Sequence, residues 1–87
     1  MFFVYFIKSL KFDFVYVGFT DNIEKRLLEH NNKKTKSTKA YAPLKLIYFE
    51  AYLSKTVALK RELELKNSWS KKKQVLDRIF KPSGPVV

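Results

Sequence analysis

Apolar residues crowd the first nineteen positions in two runs, residues 2–8 and 14–19, with residues 9–13 between them. Both runs are rich in Phe, Val, Ile and Tyr, side chains that suit a pleated, packed surface, and together they predict a β-hairpin. Alternation in the first run sets Phe3, Tyr5 and Ile7 on one face and Phe2, Val4 and Phe6 on the other. Both faces are therefore apolar, which places at least one of these strands at the centre of a covered sheet. A two-residue turn at Leu10-Lys11 sets Tyr5 directly opposite Tyr16, although no Asn-Gly or Asp-Gly pair is present to fix that register.

The pattern changes after Gly18. Asp21 as N-cap, with Glu24 three residues on, gives a capping-box start to a helix over about residues 22–31. Residues 31–43 lack periodicity and carry Lys33, Lys34, Lys36 and Lys39 without an acid, so they read as a mobile basic loop. Residues 44–53 return to a strand pattern. Ser54 caps a second helix over about residues 55–66, and Ser70 a third over about residues 71–80, whose apolar stripe is Val75, Leu76, Ile79 and Phe80. Pro82 stops it, and residues 82–87 read as a flexible tail to a single domain spanning residues 1–81. The order β-β-α-β-α-α predicts an α+β fold, a three-stranded antiparallel sheet flanked by helices.

With 87 residues, 46% of them hydrophobic and 16% aromatic, the chain has material for one small core and no second. Lys and Arg total 18 against 8 Asp and Glu, a net charge of +10 that attracts nucleic acid, anionic lipid or an acidic protein surface. The absence of cysteine excludes disulfides, thiolate catalysis and cysteine-based zinc sites, and fits a reducing compartment. The opening apolar run has no basic residues before it and is interrupted by Lys8, unlike a signal peptide. Nothing approaches the ~18 apolar residues of a membrane span, so the expectation is a soluble cytoplasmic protein without a membrane partner.

Candidate chemistry enters with the charged residues. On the second helix Ala58, Leu59, Leu63 and Leu65 share one arc of a 3.6-residue wheel, and Glu62 falls in its middle. A carboxylate there is costly unless it is paired or bound to a cation, and Lys66, four residues on, is the simplest partner. Arg26 and His30 stand one turn apart on the first helix and can reach one anion, the guanidinium as a planar donor and the imidazole as a proton carrier. Tyr5 and Tyr16 suit strand packing, yet their phenols can also bond a phosphate or position a water. Gly18 marks a bulge or a place where another chain's backbone approaches closely.

Phe3-Val4-Tyr5, Tyr16-Val17-Gly18, the helix with Arg26 and His30, and the later Glu62 together resemble the GIY-YIG nuclease superfamily, in particular its short, stand-alone members. Tyr5, Tyr16 and Gly18 match the two signature tripeptides outright, with Phe3 replacing glycine and valine replacing both isoleucines. The resemblance covers roughly residues 3–69. It implies a metal-dependent endonuclease in which Arg26 binds the scissile phosphate and Glu62 holds Mg²⁺ or Mn²⁺. Tyr5, Tyr16 and His30 would surround the attacking water, and the general base among them is left open. Several family members carry an asparagine well after the glutamate. This chain has no counterpart, because Asn67 lies too close to Glu62.

The lysines outside that constellation, Lys33, Lys34, Lys36 and Lys39 in the loop and Lys71, Lys72 and Lys73 opening the third helix, read as phosphate contacts that give affinity without base specificity. DNA is the expected partner, with structured or damaged DNA the candidate substrate. Specificity then comes from DNA shape or from a partner protein. Two alternatives use the same surface: a binding module of this fold that does not cut, and an adaptor for an acidic protein.

Overall fold

A computed structural model describes residues 1–81, so the expected helix stop at Pro82 and the tail over residues 82–87 lie outside the described residues. Strands β1 (Phe2–Ser9) and β2 (Val15–Thr20) are followed by helix α1 (Ile23–Asn31) and a 3-10 turn (Lys39–Tyr41). Strand β3 (Leu44–Tyr52) and helices α2 (Lys55–Asn67) and α3 (Trp69–Phe80) complete the order β-β-α-β-α-α. The sheet is antiparallel throughout, in the spatial order β2-β1-β3, so the strand with two apolar faces is the central one.

Each face of β1 packs into its own cluster. Val4 and Phe6 join Val17 with Ala58 and Leu65 of α2 and Val75 of α3. Tyr5 and Ile7 on the other face join Leu44 and the half-buried Phe14, Tyr16, Leu27, Tyr41 and Leu46. No helix among the described residues is long and apolar enough to cross a membrane.

The hairpin register differs from the two-residue-turn expectation, with Tyr5 opposite Gly18 and Ile7 opposite Tyr16. The cause is a longer connection organised by the Ser9 hydroxyl, which accepts from the backbone N–H groups of Lys11 and Phe12 and donates to the Tyr41 carbonyl at 2.7 Å. Phe14 then stacks on Tyr41 with ring centroids 3.8 Å apart, tying the connection to the segment before β3. Because side chains alternate with period two, moving the pairing by two positions leaves every side chain on its expected face.

Three further details differ. Asn22, not Asp21, caps α1, its side chain accepting from Lys25 N at 3.1 Å. Ser54 caps α2 as expected, but α3 is capped by Ser68 rather than Ser70. The Ser68 N–H still bonds Glu64 O while its hydroxyl accepts from Lys71 N, so one serine closes α2 and opens α3 without a linker. The segment between α1 and β3 is also anchored rather than featureless. The Asn31 side chain bonds both N and O of Leu44, at 2.6 and 2.9 Å, and Thr38 is buried.

Candidate active site

Strand β1 delivers Tyr5 to the face that α1 covers, and its opposite number on β2 is Gly18. A Cβ on residue 18 would run into the Tyr5 ring, overlapping its hydroxyl end and coming within 2.9 Å of Cε1. The glycine is needed because the Tyr5 side chain lies across β2 at this point, so its reason is neither a bulge nor the backbone of another chain, as the sequence suggested, but a side chain of the neighbouring strand. Tyr5 Oη is 2.8 Å from His30 Nε2. His30, in the last turn of α1, is 0% exposed, and its Nδ1 is 2.7 Å from Thr38 Oγ1. The Tyr16 ring centroid lies 5.2 Å from that of His30 and 6.4 Å from that of Tyr5, so the three groups expected around a water are assembled from β1, β2 and α1.

Burial sets the protonation of Tyr5 and His30. Burial, reinforced by the Arg26 charge, lowers His30 to about 4. Burial likewise pushes the Tyr5 phenol up to about 12, against the opposing pull of Arg26. Both are neutral at pH 7, and both nitrogens of His30 already have partners. Of the three, Tyr16 alone is half-exposed.

Arg26, one turn before His30, places Nη1 3.1 Å from Glu29 Oε1 with both side chains 34% exposed. A pair so exposed is worth roughly 0.2–1 kcal/mol, and an incoming phosphate can replace the carboxylate. Burial acts to lower the guanidinium pKa, but Glu29 and Tyr5 outweigh it and raise it, so Arg26 is a permanent cation beside the Tyr5 hydroxyl.

The α2 wheel needs correction. Ala58 and Leu65 are buried, but Leu59 is partly exposed and Leu63 is 56% exposed, so the buried arc is narrower than the sequence suggests. Glu62 lies at the flank of that arc rather than its middle. Its side chain is 16% exposed and pairs with Lys66 at 3.1 Å, and the Lys66 ammonium sits 5.2 Å from the Tyr16 ring centroid. The i,i+4 partner is therefore present, and the carboxylate is near enough for its charge to act on Tyr5 in the upward direction. Among the described residues no group of three or more His, Cys, Asp or Glu gathers to hold a metal. A single carboxylate fits Mg²⁺, which keeps several waters and takes its remaining ligands from substrate phosphate.

The lysines divide into two sets. Lys33, Lys34, Lys36 and Lys39 are exposed along the segment after α1. Lys71 is engaged by Glu64 and Lys73 by Asp77, while Lys72 is half-buried and donates to the Val15 carbonyl. Burial lowers the Lys72 pKa.

Two features escaped the sequence reading. Thr38 stands in a stretch without periodicity and gave no signal. On β3, Glu50 receives a forked pair of bonds from Arg61, at 2.8 and 3.0 Å, and the hydroxyls of Tyr48 and Tyr52, at 2.5 and 2.6 Å. Burial acts to raise the Glu50 pKa, but these donors outweigh it and hold the carboxyl at about 2. Arg61 precedes Glu62, so this clamp fixes the rotation of α2 against the sheet. Its available signal was Tyr48, Glu50 and Tyr52 alternating onto one face of a strand.

A family profile described as the GIY-YIG catalytic domain matches residues 1–74. A UPF0213 protein of Staphylococcus saprophyticus is 40% identical over 72 residues, 82% of this chain and 87% of its own length. A UPF0213 protein of Haloquadratum walsbyi is 38% identical over 63 residues, 71% of each. The solution NMR structure of a UPF0213 protein from Bacillus halodurans superposes with a TM-score of 0.57 at 29% identity, covering 94% of this chain and 89% of that one. The match spans the tyrosine hairpin, α1 with Arg26 and His30, and all of α2, and on it the chain belongs to the GIY-YIG family of nuclease-type catalytic domains, among small proteins of the UPF0213 kind.

Proposed function

We propose that this protein is a metal-dependent endonuclease that hydrolyses phosphodiester bonds in structured or damaged DNA. The observation that carries the reading is the convergence of Tyr5, Tyr16, His30 and Arg26 on one face of the sheet, with Glu62 on α2 paired to the lysine that lies over Tyr16 and its charge acting on Tyr5. Arg26 exchanges Glu29 for a non-bridging phosphate oxygen and offsets the charge that builds there as water attacks. Tyr16, the half-exposed phenol, lies where it can take the water's proton, while buried Tyr5 and His30 hold the neighbouring hydrogen bonds in place. Glu62 holds Mg²⁺ or Mn²⁺, which supplies Lewis-acid stabilisation of the leaving oxygen. The exposed lysines after α1 bind flanking phosphates in a salt-dependent way, and base specificity falls to DNA shape or a partner protein. A cysteine-free basic chain suits work in the cytoplasm.

The second reading, a nucleic-acid-binding module that does not cut, draws on the Glu62–Lys66 pair, in which the carboxylate already has a cation of its own helix as partner. Arg26→Ala separates the two readings. A nuclease loses about 10²–10³-fold in turnover when a charge-stabilising donor is removed, with the fold intact. A binding module has no Mg²⁺-dependent turnover of branched, nicked or single-stranded DNA to lose.

A further inference from the structure

We infer that the groove between the start of β2 and α3 takes an unpaired base of a bound DNA strand, with Trp69 stacking on the ring. The inference rests on the DNA reading above and adds to it a means of telling unpaired from paired DNA. The groove encloses about 360 Å³ among Asp13, Phe14, Val15, Trp69, Lys72 and Leu76, the size of a small-ligand site. Its floor is held by the fold, since Phe14 stacks on Tyr41 while Val15 and Leu76 pack against the core. Its wall is not: Trp69, the chain's one tryptophan, is 66% exposed and offers its ring to whatever enters.

The charges in the groove select the occupant. Lys71 is paired with Glu64 and Lys73 with Asp77, so of the three lysines opening α3 only Lys72 has no carboxylate partner among the described residues. It gives one hydrogen to the Val15 carbonyl at 3.3 Å and keeps two to donate. Asp13 likewise forms no ion pair among the described residues. A bare phosphate or an acidic peptide would meet the Asp13 carboxylate, and a cation would meet the Lys72 ammonium. A nucleobase is a neutral flat ring with carbonyl acceptors for the lysine and N–H donors for the carboxylate, and its face suits the indole. In a duplex that face and those edges are already engaged, so the groove reads pairing rather than sequence. Val15 precedes Tyr16 on β2, an edge strand, so a DNA strand can pass from the groove to the candidate site around the rim of the sheet.

The test uses the full chain in chelator, where no metal-dependent cleavage intervenes, with three DNAs: a blunt duplex, the same duplex with a short single-stranded thymine tail, and that duplex with an abasic tail of equal charge. The thymine tail should quench Trp69 fluorescence and bind about tenfold more tightly than the blunt duplex, and the abasic tail should do neither. By anisotropy of labelled DNA, Trp69→Ala should bring tailed and blunt duplexes to the same affinity, and Trp69→Phe, which keeps a ring, should retain part of the preference. Equal quenching and affinity with the abasic tail would overturn the inference without recourse to any variant, because backbone charge alone would then explain the binding. A Trp69→Ala protein that keeps the full preference for the thymine tail would overturn it too, as would a wild type that does not distinguish tailed from blunt DNA. Absence of cleavage when Mg²⁺ is restored would instead count against the nuclease reading and leave these outcomes unaffected.

Discussion

The Tyr5 ring lies across the backbone of Gly18, its partner on the neighbouring strand, so that even a methyl group on residue 18 would occupy space the phenol already fills. The second signature tripeptide thus ends in glycine because the first ends in a tyrosine that needs the room. Gly18→Ala is expected to destabilise the fold by about 1–3 kcal/mol through overpacking, measured by urea unfolding. In a Tyr5→Ala background the same substitution should cost almost nothing. Equal penalties in the two backgrounds would show that the contact is not the reason for the glycine.

Acid lability should come in two separable stages. His30 titrates at about 4 in the folded chain against an ordinary 6.5, and Glu50 at about 2 against 4.5. Both take up protons more readily when unfolded, so each contributes stability that is complete above its unfolded value and lost as pH falls through its folded one. The His30 contribution goes between about pH 6.5 and 4 and the Glu50 contribution between about pH 4.5 and 2, each on the order of 2–3 kcal/mol. Urea midpoints followed against pH should lose the upper stage in His30→Gln and the lower stage in Glu50→Gln. A wild-type profile flat from pH 7 to 4 would contradict the buried neutral histidine.

Lys66 competes for the carboxylate that the proposal gives to a metal. Replacing it with methionine frees Glu62 while keeping the aliphatic stem over Tyr16, and should tighten Mn²⁺ binding by roughly 2–5-fold, the worth of a partly exposed ion pair. Helix stability should fall by only about 0.2–0.5 kcal/mol. Calorimetric titration without DNA measures the first and thermal unfolding the second. Unchanged Mn²⁺ affinity would mean that Glu62 is not the metal carboxylate.

What could be read from the sequence follows the range of the forces involved. Strand and helix positions rest on local periodicity and caps, and the alternation of Phe3, Tyr5 and Ile7 with Val4 and Phe6 identified a two-faced strand correctly. The hairpin register did not follow from local rules, because Ser9 builds the connection with help from Tyr41, more than thirty residues away. The α3 cap was missed for a related reason: Ser68 serves two helices at once, which a search for one cap per helix passes over. Glu62 drew notice as a carboxylate on an apolar arc, and the structure keeps it near that arc while exposing Leu63. Thr38 was invisible because its burial depends on how the basic segment folds back over His30, and no pattern within that segment records it.

The central claim is that Glu62, paired on α2 with the lysine that lies over Tyr16, supports metal-dependent hydrolysis. The most direct measurement compares wild-type protein and Glu62→Ala on branched, nicked and single-stranded DNA, with Mg²⁺ or Mn²⁺ and with chelator. The account predicts wild-type cleavage that vanishes with chelator and in Glu62→Ala, while salt-sensitive DNA binding survives in both proteins. Cleavage that persists undiminished in Glu62→Ala would contradict it.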